Sequence, residues 1–219
     1  NRPDIYGRLT NWTQLNGIWA VPGRNYGQEI LIIRDAAHAP DGSDASLRAA
    51  NAHIMQAGDA DNYIYRGLVY LHRGSYAEAL DDFKAAHKRN TKRTEPYLGI
   101  ALAHVGAGNV KEARRAYEVY LKVAPDDAAA LYNYGLTLLA ENSPAKAVAP
   151  LRDAIRRAPQ NADSYSALAV ALIRTKDYTG AWKALADGAA IAPTNIDILV
   201  NQILLQACLK DAGDKKKKK

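Results

Sequence analysis

Along residues 60–195, apolar and polar positions return on a single 34-residue beat. Ala79, Ala113, Ala147 and Ala181 mark it, and small residues hold it again at Gly67, Ala101, Gly135 and Ala169. Large side chains stand four places before these, at Tyr63, Tyr97, Leu131 and Tyr165, and a second bulky column runs through Phe83, Tyr117, Leu151 and Leu185. Small beside large at fixed spacing suits closely packed helices, because a bulkier side chain at Ala113 or Ala147 would wedge neighbours apart. Pro125, Pro159 and Pro193 close three of the four units, with Thr91 at that place in the first. Each proline lacks a donor N–H and turns the residue before it away from helix, so a helix ends there.

Together these columns resemble the tetratricopeptide repeat, whose signature sets an aromatic, Leu-Gly, Tyr, Ala, Phe and Pro at fixed offsets. The resemblance covers residues 60–195, which is 136 of 219, without insertion. It implies an all-α fold, a right-handed α-solenoid of helix-turn-helix repeats at 60–93, 94–127, 128–161 and 162–195. A helix over 44–57 keeps the phase, with Ala45 and Ala52 lying one repeat length before Ala79 and Ala86. Its Leu47, Ala50 and Ile54 share one face, and 43–59 is expected to be a degenerate half-repeat that caps the first unit. A capping helix over 196–210, with Ile198, Leu199, Ile203 and Leu204, is expected to close the last, since an end repeat otherwise exposes the face a neighbour would cover.

Departures from the pattern carry expectations of their own. Arg66 stands where later units have Ile100, Tyr134 and Leu168, so it either meets an acidic partner or loosens that end. Tyr120 replaces the small residue of Ala86, Ala154 and Gly188, and Pro150 falls inside the second helix of the third unit, where a kink is expected. Pro144 follows Ser143 and suits a first helical turn. Residues 1–42 are nonrepetitive. Two β-branched runs, Ile18–Val21 and Ile30–Ile33, flank Pro22-Gly23 and suggest a hairpin or groove-covering arm, although the second run can also open a helix.

Charge narrows the partners. The excess of six arises from 29 basic and 23 acidic residues. Lys215 to Lys219 supply five of those positives, so the body is nearly neutral. That run, within an expected disordered tail at 211–219, reads as a solvated or engineered addition; no basic patch elsewhere supports nucleic-acid binding. No apolar run is long enough to span a membrane. Cys208 is the single cysteine, which leaves no intrachain disulfide. The alanine- and arginine-rich repeats read as bacterial, with envelope, periplasm and cytoplasm all open and a lean to the envelope. A start at Asn1 leaves any targeting segment out of view.

Catalytic chemistry finds little footing. His38, His53, His72, His87 and His104 lack metal-ligand spacing, and Gly106 and Gly108 lie in a turn without the Lys-Ser/Thr of a phosphate loop. Asp81-Asp82 and Asp126-Asp127 are placed on outer faces or turns, and His104 is read as a satisfied core residue. No catalytic residue, cofactor or metal is expected. Asn11-Trp12-Thr13 forms a glycosylation triplet.

In tetratricopeptide proteins the first helices line a concave face that takes peptides or helices. The resemblance places there Ile64, Tyr65, Leu68, Leu71 and His72, then Leu98, Leu102 and Val105, then Tyr132, Asn133, Leu136 and Leu139, then Ser166, Val170, Ile173 and Arg174. His72 is placed to hydrogen-bond a ligand. Leu68, Leu102, Leu136 and Val170 form one apolar ladder and Leu71, Val105, Leu139 and Ile173 another, and an exposed apolar stripe marks an interaction site. The family's clamp for an acidic carboxyl terminus is absent: its places hold Ile64, Leu68, Gly99, Ala129 and Asn133, of which Asn133 alone matches. A helix in an apolar groove suits the face better.

The expected function is therefore a non-catalytic adaptor for another protein, in assembly of a bacterial secretion, pilus or envelope system. The alternative is a self-assembling scaffold whose groove is filled by its own amino-terminal segment or a second copy. A third reading is an array that recruits or regulates an enzyme elsewhere on a longer chain.

Overall fold

The computed structural model describes residues 42–217, with side chains to residue 210. The expected hairpin or arm in residues 1–41 and the Asn11 triplet lie outside the described residues. Among those described there are ten helices and no strand. They are α1 (Asp44–Gln56), α2 (Ala60–Arg73), α3 (Tyr76–Arg89), α4 (Glu95–Gly106), α5 (Val110–Val123), α6 (Ala128–Ala140), α7 (Pro144–Arg157), α8 (Ala162–Arg174), α9 (Tyr178–Ile191) and α10 (Ile196–Lys217). The helices group into two compact units, divided between Pro125 and Asp126.

Local chemistry sets the helix ends on the repeat beat. The first helices of three repeats start after side chains that accept backbone N–H groups: Asp59 from Asn62, Asp127 from Ala130 and Asn161 from Asp163. Such caps satisfy donors that have no partner inside the helix. Between paired helices the chain reverses through one left-handed residue, at Gly74 (φ 75°), Gly108 (74°), Asn142 (58°) and Lys176 (67°). A returning bond follows each, as in Ser75 N–H to Tyr70 O and Asp177 N–H to Leu172 O, both 2.9 Å, so orphan carbonyls are satisfied as the chain turns. Glycine adopts this conformation without steric cost; Lys176 accepts about 1 kcal/mol of strain.

In the first unit α1 packs on α2, α2 pairs with α3, α3 leans on α4, α4 pairs with α5, and α2 lies beside α4. The chain's single phenylalanine, Phe83, is fully buried at the centre with Ile64, Leu68, Ala79, Ala86 and Leu102. A Cβ at Gly67 would come within 2.9 Å of its ring and one at Gly99 within 2.5 Å. Those glycines set how closely α2 and α4 approach it. Arg66 finds the acidic partner: Nε and Nη2 each donate to Asp82 at 2.7 Å, and Nη1 donates to Asn51 Oδ1 of α1 at 2.9 Å. Its guanidinium also lies 5.6 Å from the Tyr63 ring and 5.7 Å from that of Tyr70. Asp82 is therefore buried, which corrects its expected place on an outer face; Asp81 is exposed.

In the second unit α6 pairs with α7, α7 with α8 and α8 with α9, while α10 rests on α8 and α9. Leu151 fills the space left by Gly135, where a Cβ would meet it at 2.5 Å. Pro144 opens α7, and the helix runs unbroken through Pro150. Pro150 and Tyr134 stand on the beat where Asp82 and Arg66 stand in the first repeat. The terminal helix continues to Lys217, beyond the expected end at 210, so helix reaches into the lysine run.

Candidate interaction surfaces

The faces offered by the first helices are more closed than the sequence suggested. Ile64, Leu68, Leu102, Tyr132, Asn133, Leu136, Leu139, Ser166 and Ile173 are buried, with Leu102 at 2% exposure and Leu136 at 8%. The expectation of an open apolar stripe is corrected for these residues. α2 lies beside α4, and α6 beside α8. In the first unit Ile64, Leu68 and Leu102 belong to the Phe83 cluster. Tyr65, Leu71, Leu98, Val105 and Val170 are half-buried and His72 is exposed. Arg174 is committed to its neighbours: Nη1 donates to Leu139 O at 2.9 Å and Nη2 to Asn142 Oδ1. It thereby ties the end of α8 to the turn after α6.

A second arrangement follows the beat at the starts of the first helices. Asp61 and Glu95, one repeat length apart, are bridged by Arg93, whose Nη1 lies 2.6 Å from Asp61 and Nε 3.0 Å from Glu95. Burial raises the Glu95 carboxyl, but the Arg93 hydrogen bond, backbone hydrogen bonds at Glu95 and Thr94 and the Arg93 charge together outweigh it and hold the group below its ordinary range. In the second unit Asp163 and Asp197 repeat the acid pair, but Asn195 holds the place of Arg93. Asn195 Nδ2 donates to Asp163 at 3.0 Å while its Oδ1 accepts from the backbone of Asp197 and Ile198. It caps α10 but brings no positive charge. Burial, then repulsion from Asp163, pushes the Asp197 carboxyl up to about 6.

The two pairs should have opposite pH signatures. A lowered carboxyl such as Glu95 adds stability above its unfolded value and loses it as pH falls. A raised one such as Asp197 favours the folded state while protonated, and that advantage disappears as pH rises from about 4 to about 6. Asp197→Asn should therefore stabilise the protein at pH 7.5 by about 1 kcal/mol, a figure discounted for half-exposure, and by much less at pH 4. Thermal melts at the two pH values check this; an equal shift at both would remove Asp197 as the source.

His104 Nδ1 is buried without a hydrogen-bond partner, which corrects its reading as a satisfied core residue. Burial lowers its pKa, more than the charge of Glu112 raises it. Among the described residues no group of His, Cys, Asp and Glu side chains could hold a metal ion, and no helix is long and apolar enough to cross a membrane.

Sequence reasoning missed an exposed face on the last helix. Ile198, Leu204 and Leu205 of α10 are buried where it covers α8 and α9, but Leu199 is 44% exposed and Ile203 68%, which leaves two of the four expected capping residues in solvent. The signal was present: Leu199 and Ile203 lie one repeat length after Tyr165 and Ala169, at places another helix covers in a complete repeat.

Comparison with known proteins agrees with this geometry. Residues 98–162 and 138–203 match two family models, each described as tetratricopeptide repeat. No curated protein matches the chain in sequence. Among solved structures, a MamA fragment from Desulfovibrio magneticus RS-1 is similar at 16% identity and a TM-score of 0.63, covering 87% of this chain and 95% of that one. YrrB, described as a TPR protein with an unusual peptide-binding site, has 19% identity and a TM-score of 0.62, with the same two coverages, 87% and 95%. TTC0263, a thermophilic TPR protein of Thermus thermophilus, has 20% identity and a TM-score of 0.55 over 76% of this chain and 90% of its own. At such identities the likeness is one of fold. With the regular repeat beat, the paired helices and both family matches, the chain is a tetratricopeptide repeat protein, a helical scaffold of the protein-binding kind.

Proposed function

We propose that the chain is a non-catalytic adaptor that takes a peptide or helix of another protein along the faces of its first helices. The observation that supports this most directly is in the first unit. Leu71 and Val105, at the same place in successive repeats, stay half-buried on adjacent α2 and α4 with Tyr65 and Leu98 near them in sequence, and His72 is exposed beside Leu71. Apolar side chains left partly in water on neighbouring helices gain by being covered, at about 25 cal/mol per Å². In the second unit the same places hold Leu139 and Ile173, which are buried, and the half-buried apolar residue there is Val170, on the ladder of Leu68, Leu102 and Leu136. The deeper leucines, Leu68, Leu102, Leu136 and Leu139, then form the floor that holds this face in shape. YrrB, with its peptide-binding site, is a precedent within the fold. Assembly of a bacterial secretion, pilus or envelope system is the setting we favour, on family analogy.

The test is selection from a displayed library of apolar helical peptides on the immobilised full chain. Enriched peptides should bind at least about tenfold more weakly, about 1.4 kcal/mol, to the Leu71→Asp/Val105→Asp variant, with unchanged circular dichroism. Equal binding by the variant would remove this face as the site.

A further inference from the structure

The first and last described helices are complementary halves of one repeat. α1 keeps the phase of a second helix: Ala45, Ala49 and Ala52 precede Ala79, Phe83 and Ala86 by one repeat length. α10 keeps the phase of a first helix, with Leu199 and Ile203 following Tyr165 and Ala169 by the same interval. In all four complete repeats the second-helix places corresponding to Ala45, Ala49 and Ala52 are buried against the paired first helix. In α1 they are exposed, and Met55 beside them is 88% exposed. α10 exposes the reciprocal face through Leu199 and Ile203.

The halves also fit each other. In complete repeats a small residue of the first helix meets a large one of the second, Gly67 against Phe83 and Gly135 against Leu151. At the ends the sizes are exchanged on both sides: large Ile203 takes the glycine place and small Ala49 the Phe83 place. A second contact pairs Tyr63 with Arg89, whose guanidinium lies 3.9 Å over the ring. Leu199 and Met55 occupy those two places, so an apolar pair replaces a cation on a ring. A third is the Arg66–Asp82 pair, whose places go to Gln202 and Arg48. There an amide oxygen can accept from a guanidinium.

We propose that α10 of one copy of this chain docks on α1 of the next, completing a composite tetratricopeptide repeat shared between two molecules. The contact continues the helix-pair interface already present four times in each chain. It joins unlike faces, so it builds head-to-tail chains rather than closed dimers. It uses no residue of the proposed peptide-binding face.

Sedimentation velocity on the full chain decides it. Between about 1 and 500 µM the mass should climb from the 23.8 kDa monomer through successive multiples. Ile203→Glu and Ala49→Glu each change an exposed side chain and should each stay monomeric with unchanged circular dichroism. Their equimolar mixture should give a dimer and nothing longer, because one intact face remains on each copy. A wild-type monomer at every concentration overturns the proposal. So does wild-type-like assembly by either variant, which would place the contact elsewhere, as in a groove filled by a second copy. Cross-linking of Ala49→Cys to Ile203→Cys within single chains, in a Cys208→Ser background, would show a chain closing on itself and also overturn it. The Leu71→Asp/Val105→Asp variant should assemble like wild type, which separates this test from that of peptide binding.

Discussion

Arg66→Leu is expected to destabilise the first unit by about 3 kcal/mol, because it strands the buried Asp82 carboxylate without its bidentate partner. The value sits at the low end of the range for broken buried pairs because the Arg66 side chain keeps 22% of its surface in solvent. The loss has two further parts: the hydrogen bond to Asn51 that ties α1 to α2, and the stacking near Tyr63 and Tyr70. The double variant Arg66→Ile/Asp82→Ala copies the next repeat, where Ile100 and Ala116 hold the same places. It should recover most of the loss, since apolar replacement of both partners removes the desolvation cost of each. Urea unfolding followed by circular dichroism measures all three proteins. If the single and double variants are equally unstable, α2 and α3 are held together by something other than this pair.

Leu102→Glu should cost about 3–5 kcal/mol, combining a lost core side chain with a carboxyl forced among apolar neighbours. Leu136→Glu should have a similar effect in the second unit, where Leu136 is also buried. The apolar ladder read from the sequence implies the opposite, that both changes would abolish association and leave helix content intact. Chemical denaturation distinguishes the two outcomes directly. A Leu102→Glu protein as stable as wild type would mean that Leu102 faces the groove and that the Phe83 cluster does not depend on it.

The contrast shows how far repeat periodicity reaches. The beat carried by Ala79, Ala113, Ala147 and Ala181 located the helix pairs, and the turns fell at the glycines and their stand-ins. Each of these depends on contacts within one repeat of chain, where spacing, caps and small–large alternation act locally. Which side of a first helix meets solvent depends on how neighbouring first helices stack. Leu68 and Leu71 differ by three places in one repeat, yet the first is buried and the second half-buried. Spacing alone assigns both to the same ladder face.

Charge followed the same division. Arg66 was legible as an anomaly, but its partner lay sixteen residues away on a helix face read as solvated. Asn195 carries no such anomaly in the sequence; only the fold sets it, uncharged, beside Asp163 and Asp197, where burial and the Asp163 charge raise the Asp197 carboxyl. Residue order therefore established the repeat, its length and the ends of its helices, because those are set by short-range sterics and backbone hydrogen bonding. Packing in three dimensions settled which apolar residues are core, which charges are paired and which end faces are left open, because burial depends on neighbours that the chain brings together only once it has folded.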